Sequence, residues 1–166
     1  MADKDKVIKE KVDHSGIFDF PSLYSYAHDW LNEEGYGVVE EKYSEKVSGT
    51  GREINIEWKA SKKITDYFKI EMDIEFEIKE MTDVEAEIDG KKKKMNKGKL
   101  SLELTGNLIK DHESKWEGSP LNTFLRGIYN KYIIPSKVKS IESKIENDVK
   151  ELKEQIKSFL SLTAKR

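Results

Sequence analysis

Apolar residues recur along the chain with two spacings, and each spacing predicts a different kind of element. Every second residue is apolar from Phe68 to Ile78 without a break, which predicts a long, half-buried strand. Shorter or looser alternation predicts further strands at 7–12, 38–47, 54–60, 84–88 and 100–108. The connections between successive strands are short, so we expect an antiparallel meander of about six to seven strands.

Spacings of three and four residues predict helices near both ends of the chain. An apolar stripe follows Pro21 and stops at Gly35, which are typical first-turn and C-terminal residues of a helix. A second stripe covers 119–133, Pro135 interrupts it, and a third covers 138–159. We expect a short N-terminal helix and, at the C-terminus, a long kinked helix or two consecutive helices.

These elements predict an α+β fold in which a curved antiparallel sheet carries the C-terminal helix on one face. A chain of 166 residues is long enough to bury about two thirds of its unfolded surface without disulfides or metals. No linker rich in Pro, Gly or Ser divides it, so 1–166 is predicted to be one domain. The alternative left open is that 136–166 projects from it as a helical extension.

Composition narrows the class of protein. The chain has 30 basic and 32 acidic residues, a formal net charge of -2 and no cysteine, which excludes disulfides, thiol nucleophiles and thiolate metal sites. Its start, MADKDKVIKE, lacks the apolar run of a signal peptide, and no stretch approaches the roughly 20 apolar residues that span a bilayer. We therefore predict a cytoplasmic protein with no membrane span.

Two further features of the composition indicate which partners the protein binds and the temperature to which it is adapted. Nucleic acid is an unfavoured partner because only three of the basic residues are arginine, the residue best suited to phosphate and guanine; they are Arg52, Arg126 and Arg166. A single glutamine with abundant Lys, Glu and Ile is typical of heat-adapted, thermostable proteins.

The order of elements, namely strand, short helix, meander and long C-terminal helix, resembles the START and Bet v 1-like (SRPBCC) helix-grip superfamily. The resemblance implies an apolar cavity between sheet and helix for a lipid, sterol, aromatic or polyketide-like ligand. Separately, the run from Trp58 to Phe68, WKASKKITDYF, together with Met81-Thr82-Asp83-Val84, is similar to uncharacterised archaeal proteins and implies no activity.

A ligand site of this kind would use the inward phase of the strands and the stripe of the C-terminal helix. The strand residues are Trp58, Ile70, Met72, Ile74, Phe76, Leu102 and Leu104, and the helix residues are Phe124, Ile128 and Tyr132. His112 and Trp116 continue the inward phase of the last strand toward the mouth of such a cavity. The alternative is that all of these side chains simply pack, because periodicity identifies a buried face and not a void.

The outward phase is acidic, with Glu71, Asp73, Glu75 and Glu77 on one face. A hairpin at Met81 would bring 83–89, equally acidic, opposite this row, where like charges are destabilising. We predict neutralisation by Lys97 and Lys99 on the following strand or by Lys91 to Lys94 in the basic loop 91–99, rather than a metal or acid–base site. No motif for a nucleophile, a nucleotide or zinc is present, so no catalytic residue and no cofactor is assigned.

The last stripe suits two arrangements. Its members are Val138, Ile141, Ile145, Leu152, Ile156 and Phe159, spaced three or four apart on an otherwise charged helix. They could form a homodimer through a coiled coil, or pack on the sheet of their own domain. Two functions follow: a binding module with an apolar pocket, or an interaction module that self-associates or recruits a partner through the C-terminal helix. A hydrolase or cyclase acting in the same pocket is a third reading, for which the sequence names no catalytic pair.

Overall fold

The computed structural model describes residues 3–110, 120–128, 131 and 135–164, and it is built on a five-stranded antiparallel sheet. The strands are β1 (Asp3–Phe18), β2 (Gly37–Ser48), β3 (Gly51–Lys63), β4 (Phe68–Ile88) and β5 (Lys91–Lys110). The helices are α1 (Phe20–Glu33), α2 (Pro120–Ile128) and α3 (Pro135–Ala164). The strand order is β1-β5-β4-β3-β2. The α+β class, the antiparallel sheet and the long C-terminal helix are therefore confirmed, while the meander covers only β2 to β5, because β1 pairs with β5.

The predicted count of six to seven strands is wrong, because the predicted strands 68–78 and 84–88 are both parts of β4. The chain does not turn at Met81. Instead, β4 carries one extra residue between Lys79, which pairs with Lys99, and Thr82, which pairs with Lys97. Such a bulge interrupts the alternation of apolar residues in the same way as a turn would. Glu80 takes a positive φ of 55° there.

The predicted basic loop 91–99 is also a strand, since it forms the first half of β5. Glu85 pairs with Lys94 and Glu87 with Lys92, which places opposite charges directly across from each other. From Val84 to Ile88 and from Lys91 to Met95, β4 and β5 pair only with one another and form a two-stranded ribbon. The β5 half of this ribbon begins with four exposed lysines, 91–94, so that half lacks the apolar alternation that identifies a strand.

The two edge strands are long and bulged. β1 runs well beyond the predicted 7–12 and holds one extra residue, Val7, between the pairs that Lys6 and Ile8 make with β5. β2 holds an extra residue, Glu41, opposite β3. The bulges bend both edges of the sheet away from a flat conformation.

α1 begins and ends where the sequence predicts. Asp19 is its N-cap and accepts a hydrogen bond from the Ser22 backbone N–H at 3.3 Å, and a proline occupies the first turn. The apolar face of α1 lies on β3 and β4, where the Tyr24 and Trp58 rings meet edge to face at 4.9 Å. Its fully or nearly fully buried residues are Phe20, Leu23, Ala27, Trp30 and Leu31.

α3 lies beside α1 on the same face of the sheet, against β1 and β5. Tyr26 of α1 donates a hydrogen bond to Gln155 Oε1 at 2.7 Å, which joins the two helices. The Tyr36 hydroxyl donates to Asp148 Oδ2 at 2.6 Å, and burial together with this carboxylate raises the pKa of Tyr36. The described part of the predicted extension 136–166 therefore lies on the domain, with one face of α3 buried in the core.

Asp19 gives a testable link between this fold and pH. Burial alone would raise its pKa, but hydrogen bonds from Lys93 and Ser22 outweigh burial and lower the pKa of Asp19 below 3.8. Asp19→Ala is expected to lower the free energy of unfolding by about 1 kcal/mol through loss of the cap. Asp19→Asn keeps a capping oxygen and removes only the charge.

The charge of Asp19 stabilises the fold above its unfolded pKa and ceases to do so as the pH falls through its lowered folded pKa. Urea unfolding at neutral pH should therefore separate wild type from Asp19→Asn. The two curves should converge in acid, once the pH lies below the lowered folded pKa of Asp19. A difference that persists unchanged in acid would assign the stabilisation to something other than this charge.

Candidate functional site

The strand residues of the predicted ligand site all lie on the face that α1 and α3 cover. Trp58, Ile70, Met72, Phe76 and Leu102 are at most 1% exposed. Trp58 packs edge to face on Phe76 at 4.8 Å, and its indole N–H donates to Glu40 Oε1 at 3.2 Å. Its one polar atom is therefore satisfied within the chain rather than aimed into an empty space.

Glu40 also accepts a hydrogen bond from the Tyr24 hydroxyl at 2.6 Å. Burial, followed by the hydrogen bond and charge of Glu40, raises the pKa of Tyr24 to about 12. Tyr24 therefore stays protonated at neutral pH and acts as a donor that ties α1 to β2.

α3 packs closely against the sheet at Gly106 of β5. A Cβ atom at this position would lie 2.5 Å from the Ile145 Cγ2 atom and 2.9 Å from that of Val149. Only glycine lets the helix approach the strand this closely. At this point the space between sheet and helix, where the sequence predicts a cavity, is filled by side chains of α3.

The helix residues of the predicted site lie elsewhere. Phe124 and Ile128 belong to α2 and are 63% and 37% exposed, so they do not join the buried strand residues. His112, Trp116 and Tyr132 lie outside the described residues. Because α1 and α3 already cover the inner face of the sheet, the stripe of α2 has no place on it.

The stripe predicted to form a homodimer is occupied within the chain. Ile141, Ile145, Leu152 and Ile156 are at most 6% exposed and belong to the core, while Val138 and Phe159 pack partly buried against it. This is the second of the two predicted arrangements. A coiled coil through these residues would require α3 to leave the sheet.

Sequence reasoning found the apolar stripe of α2 and assigned it to the core. Its members are Leu121, Phe124, Leu125 and Ile128, and they are 64%, 63%, 41% and 37% exposed. They follow the spacing i, i+3, i+4 and i+7, which places them on one face of the helix. On another face Arg126 donates a hydrogen bond to Asp3 of β1, so α2 lies near the first residues of the sheet.

A cavity of about 370 Å³ lies between the N-terminus of α1 and the start of the ribbon. Its apolar wall includes Phe20, Tyr43, Ile54 and Met81. Four of its charged groups, Arg52, Asp83, Glu45 and Lys94, pair with one another, and a fifth, Asp19, contacts Lys93 at 2.9 Å. Arg52 contacts Asp83 at 2.6 Å and Glu45 at 3.4 Å, and Lys94 contacts Asp83 at 3.3 Å.

Hydrogen bonding from Lys94, and then the charge of Arg52, lower the pKa of Asp83, although burial opposes the change. Asn96, at the same wall, accepts from the Phe20 backbone N–H at 2.9 Å. The polar groups of this cavity thus neutralise each other, which leaves little for the recognition of a charged ligand.

The acids at 83–87 pair with the predicted lysines, since Lys94 contacts Asp83 at 3.3 Å and Lys92 lies opposite Glu87, whereas the row from Glu71 to Glu77 contacts other lysines. Glu71 is only 8% exposed and contacts Lys4 at 3.1 Å and Lys59 at 3.6 Å. The charge of Glu71 raises the pKa of Lys59. Lys79 contacts Glu77 at 3.0 Å. Within the described residues, no group of three or more His, Cys, Asp or Glu side chains could hold a metal ion.

One row of the outer face keeps like charges opposite each other. Glu75 of β4 pairs with Glu57 of β3 on one side and with Glu103 of β5 on the other. We expect Glu75→Lys to raise the free energy of unfolding by about 1 kcal/mol, because it replaces two like-charge pairs by two opposite pairs. Urea unfolding at low and high salt measures the effect, and salt should reduce it.

The matched control is Glu85→Lys on the ribbon, which places a lysine opposite Lys94. It should give no gain in stability. Equal gains from both substitutions would show that net charge, rather than the row of glutamates, controls the effect.

Comparison with known proteins gives no assignment. No family model matches the chain, and neither the curated proteins nor the solved structures include a significant match. Among the described residues, no helix is long and apolar enough to cross a membrane.

Proposed function

We propose that the chain is a non-enzymatic interaction module whose contact surface is the apolar stripe of α2. The observation that carries the proposal is the exposure of four large apolar side chains on one face of a helix, with Leu121 and Phe124 almost two-thirds exposed. Contiguous apolar surface of this kind marks sites of interaction in folded proteins.

The spacing of the stripe supports docking. Residues at i, i+3, i+4 and i+7 of an amphipathic helix are the usual anchors when a helix face packs into an apolar surface. The contact between Arg126 and Asp3 attaches α2 to the sheet, which holds the stripe in a defined place.

An apolar ligand between sheet and α3 is the second candidate, and the helix-grip resemblance that implies it rests on the order of elements. The close approach at Gly106 and the full burial of Trp58 and Phe76 favour packing over a cavity. The charged groups of the cavity near Arg52 pair among themselves, which favours binding through α2 over catalysis. Native mass spectrometry of the purified chain checks the second candidate, which predicts a co-purified lipid.

The proposal is tested with a photo-crosslinking amino acid at position 124 of the full chain, in a lysate of its own organism. The control places the same residue at position 47, since Val47 is 83% exposed on β2. We expect discrete products from position 124, identified by mass spectrometry and reproduced with the purified components, and their loss on Leu125→Asp.

Products that form equally from both positions, or that survive Leu125→Asp, would contradict a specific contact through α2. The same holds if position 124 gives no product. A product with any protein, including a second copy of this chain, supports the proposed function when it depends on the stripe.

A further inference from the structure

We infer that the stripe of α2 binds a second copy of this chain, in a weak two-fold dimer with the two α2 helices antiparallel. This inference rests on the proposed function and names its partner.

The pattern is complementary to itself. In an antiparallel pair, Leu121 of one copy faces Ile128 of the other, and the central Phe124 and Leu125 lie next to the two-fold axis. Two-fold contacts use the same surface patch on both copies. An apolar face that is symmetric about its centre is therefore complementary to the same face of a second copy. An aromatic residue at the centre is typical of the strongest contacts in protein interfaces.

The charges favour a second copy over a lipid surface. Helices that lie on anionic membranes carry several Lys or Arg residues along the polar face. α2 contains one charged residue, Arg126, and that residue contacts Asp3 of its own chain. Two copies can therefore bring their α2 helices together without opposing like charges of the helices themselves.

The small size of the stripe limits the affinity of the proposed dimer. A nine-residue helix is about 14 Å long, so one face of it falls short of the roughly 800 Å² per partner that stable complexes bury. We expect a reversible dimer that forms at high concentration, not an obligate one. Such a dimer would leave α3 on its own sheet, unlike a coiled coil through 138–159.

The test is sedimentation velocity of the full chain over roughly 10 µM to 1 mM, the range suited to weak association. Wild type should shift from monomer toward dimer, and Phe124→Asp should weaken the association at least about tenfold. Val47→Asp makes a similar apolar-to-acidic change at an exposed position of β2 and should have no effect. Circular dichroism and thermal unfolding establish that each variant is folded.

A second measurement uses the absence of cysteine from the chain. Leu125→Cys places a single thiol near the proposed two-fold axis and should form a disulfide-linked dimer under mild oxidation, whereas Val47→Cys should form much less. Each disulfide-linked product is checked for native unfolding behaviour. This arm remains informative if Phe124→Asp fails to fold.

A wild-type chain that stays monomeric throughout, with equal disulfide formation from positions 125 and 47, would overturn the inference. A dimer unaffected by Phe124→Asp would do the same, since its interface lies elsewhere. If the chain is monomeric but position 124 crosslinks specifically to a different protein, the second-copy inference fails and the proposed function stands. If the association measurements and the crosslinking experiment both fail, the dimer and the proposed function are both contradicted.

Discussion

Phe76→Ala is expected to lower the free energy of unfolding by about 3–5 kcal/mol, measured by urea unfolding. Phe76 is 1% exposed, and its ring meets Trp58 at 4.8 Å and Tyr24 at 6.4 Å beneath α1. Truncating a buried phenylalanine removes its transfer free energy and leaves a void that its neighbours fill only in part. The loss is a large share of the roughly 5–15 kcal/mol that stabilise a typical domain.

Phe124→Ala is the matched control, because the sequence placed both phenylalanines in one pocket. Phe124 is 63% exposed, so its truncation should change stability by less than about 0.5 kcal/mol. A small loss at Phe76 would mean that space already exists beside it, as an apolar cavity requires. Similar losses at both positions would place Phe124 in the core and remove the exposed stripe of α2.

Gly106→Ala should lower the free energy of unfolding by about 1–3 kcal/mol, because an added methyl group overfills the contact between β5 and α3. The atoms it meets are branched methyl groups close to the helix backbone, at 2.5 Å for Ile145 and 2.9 Å for Val149. Such groups cannot swing aside like the end of a lysine. If a ligand-sized space lay behind α3, the helix would move and the substitution would cost little.

Two variants isolate the cause of this loss. Gly127→Ala makes the same change in α2, where no atom lies within 4 Å of the new Cβ, and better helix propensity should make it neutral or slightly stabilising. Ile145→Leu removes the Cγ2 methyl at nearly constant volume, so it should recover part of the loss when combined with Gly106→Ala. Strict additivity of the two changes would contradict a clash at Ile145.

Elements with one apolar and one polar face could be predicted from the sequence. The unbroken alternation from 68 to 78 lies within β4, and the proline and glycine signals near Pro21 and Gly35 bracket α1 closely. The inward phase of β3, β4 and β5 is the buried phase. In each case the residues that the spacing places on one face are also the residues that are buried in the fold, so the spacing was sufficient to predict the element.

The rest could not be predicted, for physical reasons specific to each place. In the β5 half of the ribbon, the exposed lysines 91–94 pair across the strands with residues of β4, as Lys92 does with Glu87, and the sequence displays them only as a charge run. The bulge before Thr82 has the pattern of a turn. For α2, the spacing of apolar residues identifies the apolar face of the helix but not what that face packs against. The apolar face of the sheet is covered by α1 and α3.

The extra residues Val7 and Glu41, one on each edge strand, bear on how copies of this chain can meet. A flat, regular edge is a template on which another sheet can grow, and bulged edges rich in lysine oppose such growth. Both β1 and β2 are protected in this way, so concentrated protein should form discrete particles rather than fibrils. Contact between copies through β1 or β2 is therefore opposed, and the contact proposed for α2 uses neither of these edges.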